Sequence, residues 1–202
     1  GMIGQKLASS FSTNDSLTLL DIGFPNKNQS NARKMIGSVG DPEIIENSLN
    51  DLPEVIYYLA SVVSGEAEAD FSKGWDVNIH AFWAFLSLVK KLNEKSQGQY
   101  TPKIIFTSSI AVFGSPFPKQ IPDDFIVAPR TSYGAQKASC ELMLNDFSRK
   151  GFCEGLAIRL PTICVRPGKP NLAASSFFSG IIREPLSGIN AQLPVSTAVR
   201  HW

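Results

Sequence analysis

The chain has 202 residues, 43% hydrophobic and 18% charged, enough for one domain with a buried core and no need of disulfide or metal staples. Its 19 Lys and Arg against 18 Asp and Glu leave a formal charge of +1, without the basic excess that marks a nucleic-acid partner. No apolar run approaches bilayer-spanning length, so no membrane partner is expected, and the segment from Gly1 to Leu7 lacks the layout of a secretory signal.

Apolar strand-like runs alternate with helical patterns along the chain. Residues 17–21 read as a short buried strand that stops at a turn built on Gly23, Phe24, Pro25 and Asn26. Residues 27–33 are polar and read as a loop, and residues 34–38 as a weak strand. Residues 42–49 read as a short helix, with Asp41 as its N-cap and Pro42 at its first position. The run 55–60 is the next strand, followed by a turn of small residues. Over residues 71–92 the apolar spacing is helical, with Trp75, Ile79, Phe82, Phe85 and Leu86 along one side. A continuous apolar strand over 103–108 ends in hydroxyls, and the proline-rich stretch 114–130 reads as an irregular loop. A helix over 133–150 is closed by Gly151, residues 156–160 form another strand, and the chain after Pro161 is loop-rich. Strands and helices that alternate without hairpin signals predict an α/β fold, a doubly wound parallel sheet covered on both faces.

Three cysteines, Cys140, Cys153 and Cys164, are odd in number and show no CxxC spacing. Neither a metal site nor a disulfide framework is expected, and a reducing cytoplasm is the default setting.

In parallel sheets the functional groups gather at the carboxyl ends of the strands. Thr107, Ser108 and Ser109 close one such strand, and Tyr133-Gly134-Ala135-Gln136-Lys137 opens the helix beyond it. Tyr133 and Lys137, four residues apart, share one helix face. A Lys ammonium close to a phenol favours the phenolate and lowers the tyrosine pKa, which would suit Tyr133 as a general base near neutral pH. A strand-end hydroxyl such as Ser109 can polarise the substrate oxygen; Ser108 is the less suited neighbour. By itself a tyrosine and a lysine at this spacing are a common helix pair. The hydroxyl strand ahead of them, inside an α/β chain, gives the pair its weight.

The stretch Phe106-Thr107-Ser108-Ser109-Ile110-Ala111-Val112-Phe113-Gly114, taken with Tyr133 and Lys137, resembles the extended short-chain dehydrogenases. These form the superfamily of NAD-dependent nucleotide-sugar epimerases and dehydratases, and the resemblance covers nearly the whole chain. It implies a Rossmann-like domain that binds NAD, with Ser109, Tyr133 and Lys137 as catalytic residues and Tyr133 and Lys137 also touching the cofactor. Asp21, ending its strand, corresponds to the acid that accepts hydrogen bonds from the adenosine ribose hydroxyls, and its charge would repel a 2′-phosphate, which favours NAD over NADP. A turn-capping role is the alternative for Asp21. Asp41 is similar to an adenine-contacting acid, although it fits equally as a helix cap. Leu59, Ala60 and Ser61 resemble the turn beside the cofactor phosphates. Pro161, Thr162 and Ile163 resemble the segment lining the nicotinamide end, through backbone contacts, unless they are a plain strand-to-loop transition.

Within the superfamily, the segment 61–71 together with 107–114 and 159–171 resembles the D-erythronate dehydrogenase group. Those enzymes oxidise the C2 hydroxyl of a four-carbon sugar acid with NAD, and many relatives carry only the label of nucleoside-diphosphate-sugar epimerase. The partner implied is a small-molecule sugar acid or a nucleotide-sugar, with the protein as a homodimer. A small acid needs a cationic anchor, for which a guanidinium offers a bidentate fork. Arg200 is the candidate anchor, and Ser64 and Gly65 join Ser109 as candidate substrate contacts. Arg166 and Lys169 read as solvated, His80 as structural. The competing readings are a nucleotide-sugar epimerase or dehydratase, a nucleotide-binding regulatory protein, and an incomplete enzyme without turnover.

The superfamily begins with a strand running into a Gly-rich loop whose amides cradle the pyrophosphate at a helix N-terminus. Gly1 and Gly4 match the last two glycines of that loop, so the chain is expected to lack the usual first strand and to stop within a small C-terminal substrate domain. Residues 1–165 are then the dinucleotide-binding domain and residues 166–202 a partial substrate-binding region. The strands ending at Asp21 and Ala60 are expected to draw together, or to have the gap between them filled by another segment or chain, because unpaired backbone groups inside a protein are costly.

Overall fold

The structure, a computed structural model, describes residues 1–24, 32–168, 173 and 175–198. Gly1 leads into helix α1, Met2–Ala8, which the sequence pattern did not single out. Strand β1, Thr18–Asp21, pairs in parallel with β2, Arg33–Ile36. Pro25, Asn26 and the loop residues up to 31 lie outside the described residues. Helix α2, Pro42–Ser48, starts as predicted. Asp41 Oδ1 accepts from the N–H of Glu43 at 3.0 Å and of Ile44 at 3.4 Å, and Pro42 stands where a helix has no use for an N–H.

Strand β3, Val55–Tyr58, opens a second parallel ladder. Helix α3, Ser64–Ala69, occupies the stretch read as a turn of small residues, and the predicted long helix after it is three contiguous segments: α4, Phe71–Trp75; a π-helical turn, Asp76–His80; and α5, Ala81–Lys95. Strand β4, Lys103–Ser109, then pairs with β3 on one side and with β5, Glu154–Leu160, on the other. Between β4 and β5 runs the loop 114–130, without regular structure as expected, and then helix α6, Ser132–Arg149. Helix α7, Phe177–Leu186, occupies a stretch read from the sequence as loop. Gly180 and Pro185 inside it are helix-disfavouring residues, and they masked its apolar pattern.

Helices α2, α5 and α6 cover one face of the β3-β4-β5 ladder. Phe82, Leu86 and Val89 of α5, Ile104 and Phe106 of β4 and Cys140 and Leu144 of α6 are fully or almost fully buried there. Phe82 packs on Phe106 at 4.7 Å between ring centroids and edge-on to Tyr58 at 4.8 Å. Each such side chain contributes roughly 1.5–3 kcal/mol of transfer free energy. Close packing of α6 on β5 depends on Gly155, where a Cβ would lie 2.7 Å from Leu144. The other face leaves Val55, Tyr57, Leu156 and Ile158 exposed, so the cover expected on both faces lies on one of them among the described residues.

The strands ending at Asp21 and at Tyr58 do not draw together. β1 pairs with β2 and β3 with β4, and the two ladders stay separate. Helix α1 reaches across their carboxyl ends instead: the Gly1 ammonium lies 3.1 Å from Asp21 Oδ2, and a Cβ on Gly4 would stand 3.5 Å from Leu59.

Candidate active site

The site grows from the end of β4 and the start of α6. Ser109 is the last residue of the strand, and its Oγ accepts from the N–H of Ala111 at 3.1 Å, which starts a single 3₁₀ turn. Thr131 caps α6, its Oγ1 accepting from the Gly134 N–H at 3.1 Å. Gly134 allows that first turn to press directly on the chain leaving β4, since a Cβ there would come within 2.2 Å of the Ala111 carbonyl oxygen. No rotamer relieves a clash with backbone. Gly134→Ala should therefore shift the helix start that carries Tyr133 and destabilise the fold by about 1–3 kcal/mol, read as a lowered Tm in a thermal melt. Glu68 Oε2 accepts from the Ser132 N–H at 3.0 Å, tying α3 to the same helix start. Ser64 and Gly65 form the first turn of α3 and so lie on an element coupled to Tyr133.

Tyr133 is partly buried, and the Ser61 and Ser109 hydroxyls lie close enough to its phenol to favour the charged form. Burial pushes its pKa above the ordinary tyrosine value, against the pull of those two hydroxyls and of the Arg166 charge. This corrects the expected lowering by Lys137. The Lys137 ammonium lies over the Tyr133 ring at 5.6 Å from its centroid and over Phe106 at 4.6 Å, and it donates to the Thr107 carbonyl oxygen at 2.8 Å. At 2% exposure its charge is poorly solvated, and desolvation drives its pKa down to about 8. A lysine so placed holds its own proton loosely, and it is not among the groups that set the direction of the Tyr133 shift.

Ser61, expected beside the cofactor phosphates, also lies close to the phenol. It is set there by Asn78 of the π-helical turn, whose Oδ1 accepts from Ser61 Oγ at 3.0 Å and from the Val62 N–H at 2.9 Å. Asn78 Nδ2 in turn donates to Gln136 Oε1 at 2.7 Å. The extra residue of a π turn commonly marks functional positions, and here it aims a buried amide at the strand-end turn. Ser108 is excluded as a stand-in for Ser109, because its Oγ is bonded to Glu141 Oε1. Glu141 also receives Arg159 through Nε at 3.0 Å and Nη2 at 2.8 Å, which fastens β4, α6 and β5 at one point.

A second cluster lies where α1 crosses the strand ends. Met2, Ile3, Lys6 and Leu7 face Ile163, Cys164 and Val165 across an open cleft of about 540 Å³. Asp21 stands at the Gly1 end of α1, Leu59 against Gly4, and Ala60 and Ser61 lead from there to Tyr133. Pro161, Thr162 and Ile163 run on from β5, whose Leu160 is in register with Ser109. The cleft itself has apolar walls and one cation, Lys6, while the Asp21 carboxylate and the small residues after β3 lie at the neighbouring strand ends, where this fold class places a dinucleotide.

Not every candidate joins these clusters. Asp41 uses its carboxylate to cap α2. Arg200 lies outside the described residues, as does Lys169. His80 is exposed and bonded to Asp76 Oδ1 at 3.0 Å, on the surface rather than among apolar neighbours. Cys140, Cys153 and Cys164 are free thiols, and among the described residues no group of His, Cys, Asp and Glu is placed to hold a metal ion. No helix among them is long and apolar enough to cross a membrane. Sequence reasoning missed Asn78, Glu68, Gln136 and the reach of Arg166. Asn78 alone left a signal, as a polar residue set in an apolar helical run.

The model of the NAD dependent epimerase/dehydratase family matches residues 1–202. A D-erythronate dehydrogenase of Cupriavidus necator is 46% identical over 187 residues, covering 92% of this chain and 56% of that protein. One of Haemophilus influenzae is 41% identical over 209 residues, covering 100% of this chain and 64% of that protein. The chain therefore spans less than two thirds of either relative's length. Among solved structures, the nucleoside-diphosphate-sugar epimerase from Agrobacterium tumefaciens superposes with a TM-score of 0.86 at 46% identity, over 100% of this chain and 60% of that one.

Proposed function

The chain belongs to the NAD dependent epimerase/dehydratase family, and on that premise we propose that it is an NAD-dependent oxidoreductase acting on the C2 hydroxyl of a small sugar acid such as D-erythronate. The observation that carries this reading is the meeting of Ser61, Ser109 and Tyr133 at the end of β4, above the buried Lys137. Ser109 orients the substrate oxygen. Tyr133 takes the hydroxyl proton, and Lys137 holds positive charge beneath the ring as the phenol ionises. The raised phenol pKa is met by Ser61, Ser109 and Arg166, each of which favours the phenolate.

NAD, when bound, supplies the hydride acceptor. Asp21, Gly1, Gly4, Leu59, Ala60 and Ser61 would hold its adenosine and phosphates, and Tyr133, Lys137, Pro161, Thr162 and Ile163 its nicotinamide half. Ser64 and Gly65 contact the substrate. In this reading residues 1–165 form the dinucleotide-binding domain and residues 166–202 belong to the substrate side, in a cytoplasmic homodimer.

A second reading, a nucleoside-diphosphate-sugar epimerase, is favoured by the likeness to the Agrobacterium tumefaciens structure. Incubating the chain with NAD and either D-erythronate and related sugar acids or UDP- and dTDP-sugars separates the two. NADH formation with the sugar acids is expected. Epimerisation of a nucleotide-sugar, with no NADH formed from any sugar acid, would overturn the dehydrogenase reading.

A further inference from the structure

Lys137 is a buried ammonium with no carboxylate paired to it among the described residues. Its contacts are the Thr107 carbonyl at 2.8 Å and the rings of Phe106 and Tyr133. A fully buried lysine is almost always paired. Glu141 lies four residues further along α6, the spacing at which two helical side chains are neighbours. Both side chains reach the same part of β4. The ammonium sits over Phe106, and the Glu141 carboxylate is bonded to the Ser108 hydroxyl. Phe106 and Ser108 are successive side chains on one face of that strand. This spacing invites an ion pair between Lys137 and Glu141, and the structure does not make it.

The carboxylate is occupied from the other side. Arg159 of β5 is in register with Ser108. Its Nε donates to Glu141 Oε1 at 3.0 Å and its Nη2 to Oε2 at 2.8 Å, so the guanidinium fork takes both oxygens. The guanidinium carbon stands 4.9 Å from the centre of the Phe113 ring, a second contact that keeps it in place. The other titratable groups around the ammonium supply no counter-charge. On α6, burial pushes the Tyr133 phenol up and the Cys140 thiol up to about 12, so both stay neutral. On β3, burial raises the Tyr58 phenol in the same way. The π-helical turn presents the neutral Asn78, while its Asp76 and His80 are exposed and bonded to each other. On α3, Glu66 is paired with Lys73 and Glu68 with the Ser132 N–H. Arg166, after β5, brings only positive charge toward the phenol.

We propose that Arg159 is a positioning residue: by taking both oxygens of Glu141 it keeps that carboxylate off Lys137 and leaves the ammonium against the Tyr133 ring. The use of that ammonium in turnover rests on the function proposed above. Without the guanidinium, Glu141 keeps a poorly solvated negative charge, with a cation one helical turn back. A Lys137–Glu141 pair draws the ammonium away from the phenol and holds its proton more tightly.

The test compares the unsubstituted chain with Arg159→Leu, with Arg159→Gln, and with the double variant Arg159→Leu, Glu141→Gln. Lys137 is titrated by NMR of lysine labelled at Cε, its signal identified by its absence from Lys137→Met. In the unsubstituted chain it titrates at about 8. Arg159→Leu is expected to raise that midpoint by about one pH unit or more, and to lose about tenfold in kcat for NADH formation at neutral pH. Arg159→Gln keeps a donor and much of the bulk, should act in the same direction, and serves where leucine loosens the fold. The double variant has no carboxylate to release, so it should bring both the midpoint and kcat back toward the unsubstituted values. A purely structural clamp predicts a Lys137 midpoint that does not move and a double variant no better than the single one, and that result would overturn the proposal. A chain that forms no NADH from any hydroxy acid fails the functional reading instead, and the Lys137 titration still decides whether Arg159 holds Glu141 away.

Discussion

Tyr133→Phe should cut oxidation of the sugar acid by about 10³-fold or more while NAD still binds, as measured by NADH formation and by calorimetric titration with NAD. Deleting one oxygen removes the group beside Ser61 and Ser109 to which this reading assigns the proton of the substrate hydroxyl. The ring remains, and so does its packing over the Lys137 ammonium. The fold is expected to tolerate the change well. The phenol is partly buried and desolvation works against its charged form, so the apo protein gives up little when the hydroxyl goes. A variant that kept its turnover would remove Tyr133 from the chemistry. One that lost NAD binding in equal measure would make it a cofactor contact instead.

Lys137→Met should be as damaging to turnover and yet leave the protein no less stable. A lysine pKa of about 8 in place of 10.5 means that folding pays on the order of 3 kcal/mol to keep the charge buried at neutral pH. That cost is fully present below about pH 8, where both folded and unfolded chains carry the proton. It is relieved as pH rises from about 8 toward 10.5, because the unfolded chain then holds a proton that the folded one has released. Denaturant titration of the unsubstituted chain should therefore show this contribution growing across that window, and Lys137→Met should lack it. Methionine fills a similar volume, and what it forgoes is the 2.8 Å bond to the Thr107 carbonyl, a net loss of about 1 kcal/mol. An inactive variant with an equal or higher Tm at neutral pH is the expected outcome. A steep loss of stability would show instead that the ammonium is a structural strut.

The strands and the two principal helices could be read from the sequence because local chemistry and tertiary position agree there. Asp41-Pro42 caps α2 by the same rule that predicts it, and Gly151, with φ of +79°, ends the helix it was expected to end. Tyr133, Lys137 and Ser109 come together because a strand end and one helix face dictate it. The rest depended on contacts distant in sequence. Ser61 could be assigned to a turn, but its turning toward Tyr133 depends on Asn78, and no spacing rule marks Asn78 as its partner. The direction of the tyrosine shift was misjudged for the same reason: a shared helix face does not report how deeply the phenol itself is buried. Helix α7 was hidden by Gly180 and Pro185, and with it the bond from the Arg166 N–H to Ser179 that fastens the chain after β5 to that helix.

Helix α1 spans the carboxyl ends of two ladders that share no strand pair. Under the proposed cofactor assignment, a dinucleotide held at Asp21 by one ladder and at Lys137 by the other would be a measuring rod laid between two mounts. Its grip would then depend on how constant the distance between those mounts stays. Loosening of the small β1–β2 mount, remote from the reacting atoms, would shorten ligand residence time and leave the rate of each productive encounter as it was.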